Sequence, residues 1–121
     1  MRIIIAGGRD FDDYELMERE ILSIIDGTDY STIEIVSGGA RGADSLGEQF
    51  AKQYNLNIKV FPAKWNTYGK MAGYMRNAEM ARYASQESGI LIAFWDGVSR
   101  GTKHMIETAD KYDIKTYIVR Y

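Results

Sequence analysis

Short apolar runs alternate along the chain with longer stretches in which apolar residues return every three or four positions. The runs are Ile3-Ile4-Ile5, Ile33-Glu34-Ile35-Val36, Ile58-Lys59-Val60-Phe61, Ile90-Leu91-Ile92-Ala93-Phe94 and Thr116-Tyr117-Ile118-Val119, and each predicts a β-strand. The first and fourth are apolar at successive positions, as a central parallel strand covered on both faces requires, so they are expected to lie side by side. Between the runs, Met17, Ile21, Ile24 and Ile25 form one helical stripe, and Ala43, Leu46, Gly47, Phe50, Ala51 and Tyr54 form another. A third helix is predicted from about Gly73 to Ala84. A fourth starts near Thr102, with Met105, Ile106, Ala109 and Tyr112 inward.

Strand and helix thus alternate up to a final strand. Right-handed crossovers make this one doubly wound, three-layer α/β domain over residues 1–121, with a five-stranded, mostly parallel sheet and about four helices. In such a sheet a ligand belongs at the carboxyl ends of the strands, near a switch in strand order. The single proline, Pro62, closes the third strand. It opens an irregular segment from Pro62 to Ala72, longer than the usual connection of about two to six residues.

Composition narrows the function classes. At 121 residues, 45% hydrophobic and 26% charged, the chain reads as an ordinary globular domain, and no apolar stretch approaches the roughly 18 residues of a membrane span. Met1 to Ala6 runs at once into Gly7-Gly8 and reads as a buried strand rather than a signal sequence. With no cysteine and only His104, neither a thiolate nor a histidine metal site is expected, and a reducing, cytoplasmic setting fits. His104 itself reads as a partly exposed helical residue. Asp12, Asp13, Asp26 and Asp29 read as solvated helix-end charges, so no metal and no obligatory cofactor is proposed. A net charge of −2 argues against a surface built to hold duplex nucleic acid and favours a small anionic ligand in a local basic groove.

Three glycine-bearing turns follow strands one, two and four. In Gly7-Gly8-Arg9-Asp10-Phe11 the backbone can lie against a ligand, and Arg9 can place two donors on a phosphate. The structural alternative is a tight turn with Asp12 or Asp13 capping the next helix. The spacing lacks the third glycine of a dinucleotide fingerprint, so an ordinary NAD site is not expected. The second turn, Ser37-Gly38-Gly39-Ala40-Arg41-Gly42-Ala43-Asp44, offers a pocket floor of Gly38, Gly39, Arg41 and Gly42. Here the alternative makes Asp44 a helix-start charge with Arg41 as its solvated partner. After Phe94-Trp95-Asp96-Gly97, the stretch Ser99-Arg100-Gly101-Thr102 opens a helix. Its hydroxyls suit either phosphate binding or simple capping. The irregular segment adds Lys64, Trp65, Tyr68, Gly69 and Lys70, followed by Arg76 and Asn77: aromatics on which a base can stack, cations, and an amide. Trp65 is read either as that platform or as a lid packed on the domain, and on either reading the segment covers the pocket.

Read in order, these turns, with Phe61-Pro62-Ala63-Lys64-Trp65, Tyr68-Gly69-Lys70, Arg76-Asn77-Ala78-Glu79-Met80 and Gly101-Thr102, resemble the YspA-like branch of the SLOG superfamily over nearly the whole chain. The resemblance implies a Rossmann-like domain with a pocket for a nucleotide or nucleotide derivative, in a branch often discussed as sensing. The superfamily includes the DprA/Smf proteins, which bind single-stranded DNA and whose Ser-Gly-x-Ala-Arg-Gly motif matches Ser37 to Gly42. It also includes the LOG nucleotide phosphoribohydrolases, with Pro-Gly-Gly-x-Gly-Thr-x-x-Glu. The present chain keeps Gly101-Thr102 but has Met105 where that glutamate should stand. Glu107 is displaced by two residues, about 200° around a helix.

The leading expectation is therefore nucleotide-derivative binding by a sensor or carrier. Gly7, Gly8, Arg9, Ser37, Gly38, Gly39, Arg41, Gly42, Asp44, Trp65, Lys70, Arg76, Asn77, Asp96, Ser99, Gly101 and Thr102 are the candidate ligand-binding residues. Hydrolysis at a nucleotide's ribose is the enzymatic alternative, with Asp96 or Asp10 as the carboxylate that an oxocarbenium-like transition state needs. Single-stranded nucleic acid is the third, supported by Arg41, Lys64, Lys70 and Arg76 beside aromatics. Tyr14, Tyr30, Tyr83 and Tyr112 are candidates for a homodimer interface.

Overall fold

A computed structural model describes all of residues 1–121. Five strands, β1 (Arg2–Gly7), β2 (Glu34–Ser37), β3 (Asn57–Val60), β4 (Gly89–Trp95) and β5 (Lys115–Arg120), form one sheet in the order β3-β2-β1-β4-β5. All four pairings are parallel. β1 and β4 pair at the centre as expected, from Arg2 opposite Gly89 to Gly7 opposite Phe94. Ile3, Ile4, Ile5, Leu91, Ile92, Ala93 and Phe94 are all fully buried, which explains their unbroken apolar run.

Four long helices cover the sheet: α1 (Tyr14–Ile25), α2 (Ala43–Gln53), α4 (Ala72–Ser85) and α5 (Arg100–Lys111). α1 and α2 pack Met17, Ile21, Ile25, Phe50 and Ala51 with Ile3, Ile5, Ile35 and Phe94 on one face. α4 and α5 pack Met80, Ala81, Ala84, Met105 and Ala109 with Ile4, Val36, Leu91 and Ala93 on the other. The chain changes faces on its way from β3 to β4, so the strand order reverses between β1 and β4. There the helix ends diverge and leave a crevice at the carboxyl edge.

The segment expected to be irregular from Pro62 to Ala72 contains a single helical turn, α3 (Trp65–Tyr68), and a 3-10 turn at Gly69–Met71. Amides of Thr67 and Tyr68 close onto the Lys64 carbonyl. A four-residue turn has no apolar period to betray it in the sequence. No helix is long and apolar enough to cross a membrane.

Of the tyrosines considered for an interface, Tyr30 and Tyr112 are exposed. Tyr83 is half-buried and donates to Glu34, with Arg2 stacked 3.7 Å over its ring; Tyr14 is half-buried and bonds Gln53. Those two rings are held by the domain itself.

Candidate functional site

A cavity of about 790 Å³ occupies the crevice at the strand-order reversal, within the usual size range of small-molecule sites. Each of its walls comes from one of the features singled out in the sequence. Gly7, Gly8, Arg9 and Asp10 come from the turn after β1. Arg41 and Asp44 come from the turn into α2, and Ser99, Gly101 and Thr102 from the start of α5. Trp65 and Lys70 lie on the connection from β3, and Arg76 and Asn77 on α4. A smaller cavity of about 500 Å³ adjoins it across Arg9, Ala40, Arg41, Trp65 and Arg76, and adds Gly38, Gly39, Pro62 and Ala63.

The turns are locked to one another by main-chain contacts. Gly8 donates its amide to the Phe94 carbonyl at 3.2 Å, and its own carbonyl accepts from Phe11 and from Ala43, each at 3.2 Å. Gly42 sits at this junction with φ +79°, in a region open only to glycine; a Cβ on it would stand 2.3 Å from the Gly8 oxygen. The first and second turns therefore meet only because residue 42 has no side chain.

The charges are unevenly paired. Arg2 and Glu34 make the only ion pair within 4.0 Å in the whole chain, far from the cleft. Arg9, Arg41 and Lys70 line the cavity with no carboxylate partner. Arg76 is more enclosed: one guanidinium nitrogen donates to the Gly38 carbonyl at 2.9 Å, and its Nε is buried without a partner. Asp44, only 6% exposed, accepts the Ala40 amide at 3.2 Å. Burial pushes its carboxyl up to about 6, against the pull of the Ala40 amide and of Arg76. Asp10 accepts the Tyr121 hydroxyl at 2.7 Å. Burial and this bond raise the Tyr121 hydroxyl above its ordinary range, so it stays a donor.

Several candidates lie elsewhere. Asp96 does not line the cleft: its Oδ1 accepts the Val98 and Ser99 amides, both at 2.8 Å, forming the turn that leads into α5. Those bonds hold its carboxyl below the usual range. Ser37 is fully buried, donating to Glu48 at 2.7 Å and accepting the Gly39 amide at 3.1 Å. Gly42 works behind the wall, and Lys64 and Tyr68 line neither cavity. Trp65 is 52% exposed, so it is not packed down as a lid.

Other wall residues escaped the sequence reading: Ala6, Ala40, Gly73, Tyr74, Met80 and Met105. For Gly73 and Met80 the signal was helical spacing, since Gly73, Arg76, Asn77 and Met80 stand at i, i+3, i+4 and i+7 on one face of α4. Met105, buried, faces the cleft one turn beyond Gly101-Thr102, while Glu107 is exposed. His104 is more than a partly exposed helical residue. Tyr74 stacks on it at 4.2 Å, and the Asn77 amide donates to its Nδ1 at 3.0 Å. Burial lowers its pKa, which keeps that acceptor free.

Gly101, in the first turn of α5, is a wall position where glycine has no steric reason: a Cβ there meets nothing within 4 Å. Helix glycine costs about 0.5–1 kcal/mol relative to alanine. Gly101→Ala is therefore expected to raise the melting temperature by a few degrees, checked by differential scanning calorimetry of the free protein. Gly101→Leu should fold as well as the parent while adding bulk at the cavity wall.

Fold and cleft together define a Rossmann-like binding domain with a basic pocket at its topological switch. Residues 1–68 match the YspA, cpYpsA-related SLOG family, and the chain belongs to that family. Among curated proteins it is 31% identical over 118 residues to the Gene 61 protein of Mycobacterium phage D29, covering 93% of this chain and 91% of the phage protein. No solved structure matches. Membership of the SLOG family suggests a nucleotide-related binding role. The matched residues carry the first two turns; Arg76, Asn77 and the start of α5 lie beyond them.

Proposed function

We propose that the cleft binds a nucleotide or nucleotide derivative and that the protein acts as its sensor or carrier. The observation that carries this reading is the set of cations Arg9, Arg41 and Lys70, which line one cavity with no acidic partner. An anion entering the cavity would neutralise them and form charge-assisted hydrogen bonds. The amino ends of α2 and α5 open on the same space and favour negative charge. Trp65, half in solvent beside Arg41, offers a ring for a base.

Thermal-shift screening with nucleoside phosphates, dinucleotides and ADP-ribose tests this. A ligand at 100 times its Kd stabilises by about 2.7 kcal/mol, an easily seen rise in melting temperature. Arg41→Ala, at an exposed position outside the core, is expected to weaken binding roughly 10- to 100-fold without changing the ligand-free melt. Flat melting curves across the whole panel overturn the reading.

Hydrolysis at the ribose keeps one supporting observation, that Asp10 is a carboxylate in the cavity wall. Met105 in place of the LOG glutamate weighs against it. Release of free base from a nucleoside monophosphate, abolished by Asp10→Asn, would make the protein an enzyme.

A further inference from the structure

The cleft is built for an anion, yet Asp44 stands in its wall. This carboxylate is only 6% exposed, in the first turn of α2, and no cation comes within 4.0 Å of it. Its hydrogen bonds come from main-chain amides, Ala40 at 3.2 Å on Oδ2 with the Gly38 amide also directed at it, and Arg76 acts on it only from beyond 4.0 Å. Unpartnered buried side-chain atoms are confined to the Nε of Arg76. Asp44 Oδ1 takes no side-chain or main-chain hydrogen bond within 3.5 Å and is not fully enclosed, and Asp44 lines the cavity. A carboxylate so placed repels a phosphate and costs stability, unless the ligand itself presents a hydrogen-bond donor to it.

Asp10, the other carboxylate of the wall, already has the Tyr121 hydroxyl. Asp10 is exposed to solvent, whereas Asp44 is the buried carboxylate of the wall and lines the same cavity as the unpaired cations. A nucleotide joins the two required chemistries in one molecule, a phosphate for the cations and a vicinal diol for the carboxylate.

We infer that Asp44 is a specificity residue that accepts the ribose hydroxyls of the ligand, so that the cleft takes ribonucleotides in preference to deoxyribonucleotides. This rests on the nucleotide-binding reading above. A site that hydrogen-bonds a substrate hydroxyl strongly rejects the analogue lacking it, because the buried acceptor is then left unpaired. A pKa of about 6 leaves Asp44 ionised at pH 7.5, the state in which it only accepts.

The test is calorimetric titration at pH 7.5 of the parent and Asp44→Asn with the adenine and guanine monophosphates, their 2′-deoxy and 2′,3′-dideoxy counterparts, and inorganic pyrophosphate. The parent is expected to prefer the ribonucleotide at least 10-fold over the dideoxy form. In Asp44→Asn that preference should fall below about 3-fold, while pyrophosphate binds as tightly as before or more tightly. Opposite signs for the two ligands separate this role from general damage, and thermal melts confirm that the variant is folded. Equal affinity of the parent for ribo and dideoxy forms, or undiminished discrimination in the variant, overturns the assignment and leaves nucleotide binding standing. Absence of any binding to the parent overturns both.

Discussion

Gly42→Ala is expected to lose several kcal/mol of stability and, with it, the cleft. Alanine at φ +79° costs about 1–3 kcal/mol in backbone strain alone. Its Cβ would also lie 2.3 Å from the Gly8 oxygen and 2.6 Å from the Arg9 carbonyl carbon, main-chain atoms that cannot rotate away. Overpacking of this kind adds about 1–3 kcal/mol. The turns must separate, so the Ala43 to Gly8 hydrogen bond goes too. Gly27→Ala supplies the control, having the same φ of +79° but nothing within 4 Å of the new methyl. Urea midpoints should fall in both variants, and further in Gly42→Ala, where the clash between turns adds to the strain of its backbone conformation. Equal losses would show that the two turns are not held by this contact.

That junction explains why so much was legible in the sequence. Strands β1 and β4 announced themselves because residues buried on both faces leave no polar position, and the long helices because their apolar stripes keep a regular period. The glycine-rich turns were legible for the same reason, since close backbone approach excludes side chains. What stayed hidden depended on orientation. Ser37 and Asp96 sit in the right turns, but their oxygens are spent on Glu48 and on the Val98 and Ser99 amides. No pattern of residue types reveals which way a side chain turns. Tyr74 reaches the wall through its stacking on His104, a contact between two helices far apart in the chain. Asp44 was visible as a helix-start acid, the position where such residues are ordinarily solvated. Its burial under Gly38 and Ala40 arises only when the turn folds back over it.

Asp44→Asn is expected to make the ligand-free protein more stable at neutral pH, and to do so in a pH-dependent way. In the folded chain the carboxyl sits at about 6, against an ordinary value of 3.8, chiefly because burial disfavours its charge. Between those values the native state binds more protons than the unfolded chain, so stability falls as pH rises. The stabilising contribution is complete below about pH 4 and gone once pH has risen through 6. A displacement of this size corresponds to roughly 3 kcal/mol, or about 10 °C in melting temperature for a domain of this length. The melting temperatures of parent and variant should therefore converge near pH 4, separate as pH rises through 6 and level off by about pH 7, with the asparagine form higher. A difference independent of pH would show that Asp44 titrates normally. A buried acid that weakens its own fold at neutral pH, at a position where asparagine would fit, is what a site shaped for its ligand rather than for stability retains. Saturation with that ligand should then narrow the gap at pH 8, because the parent gains a donor that the variant uses less well.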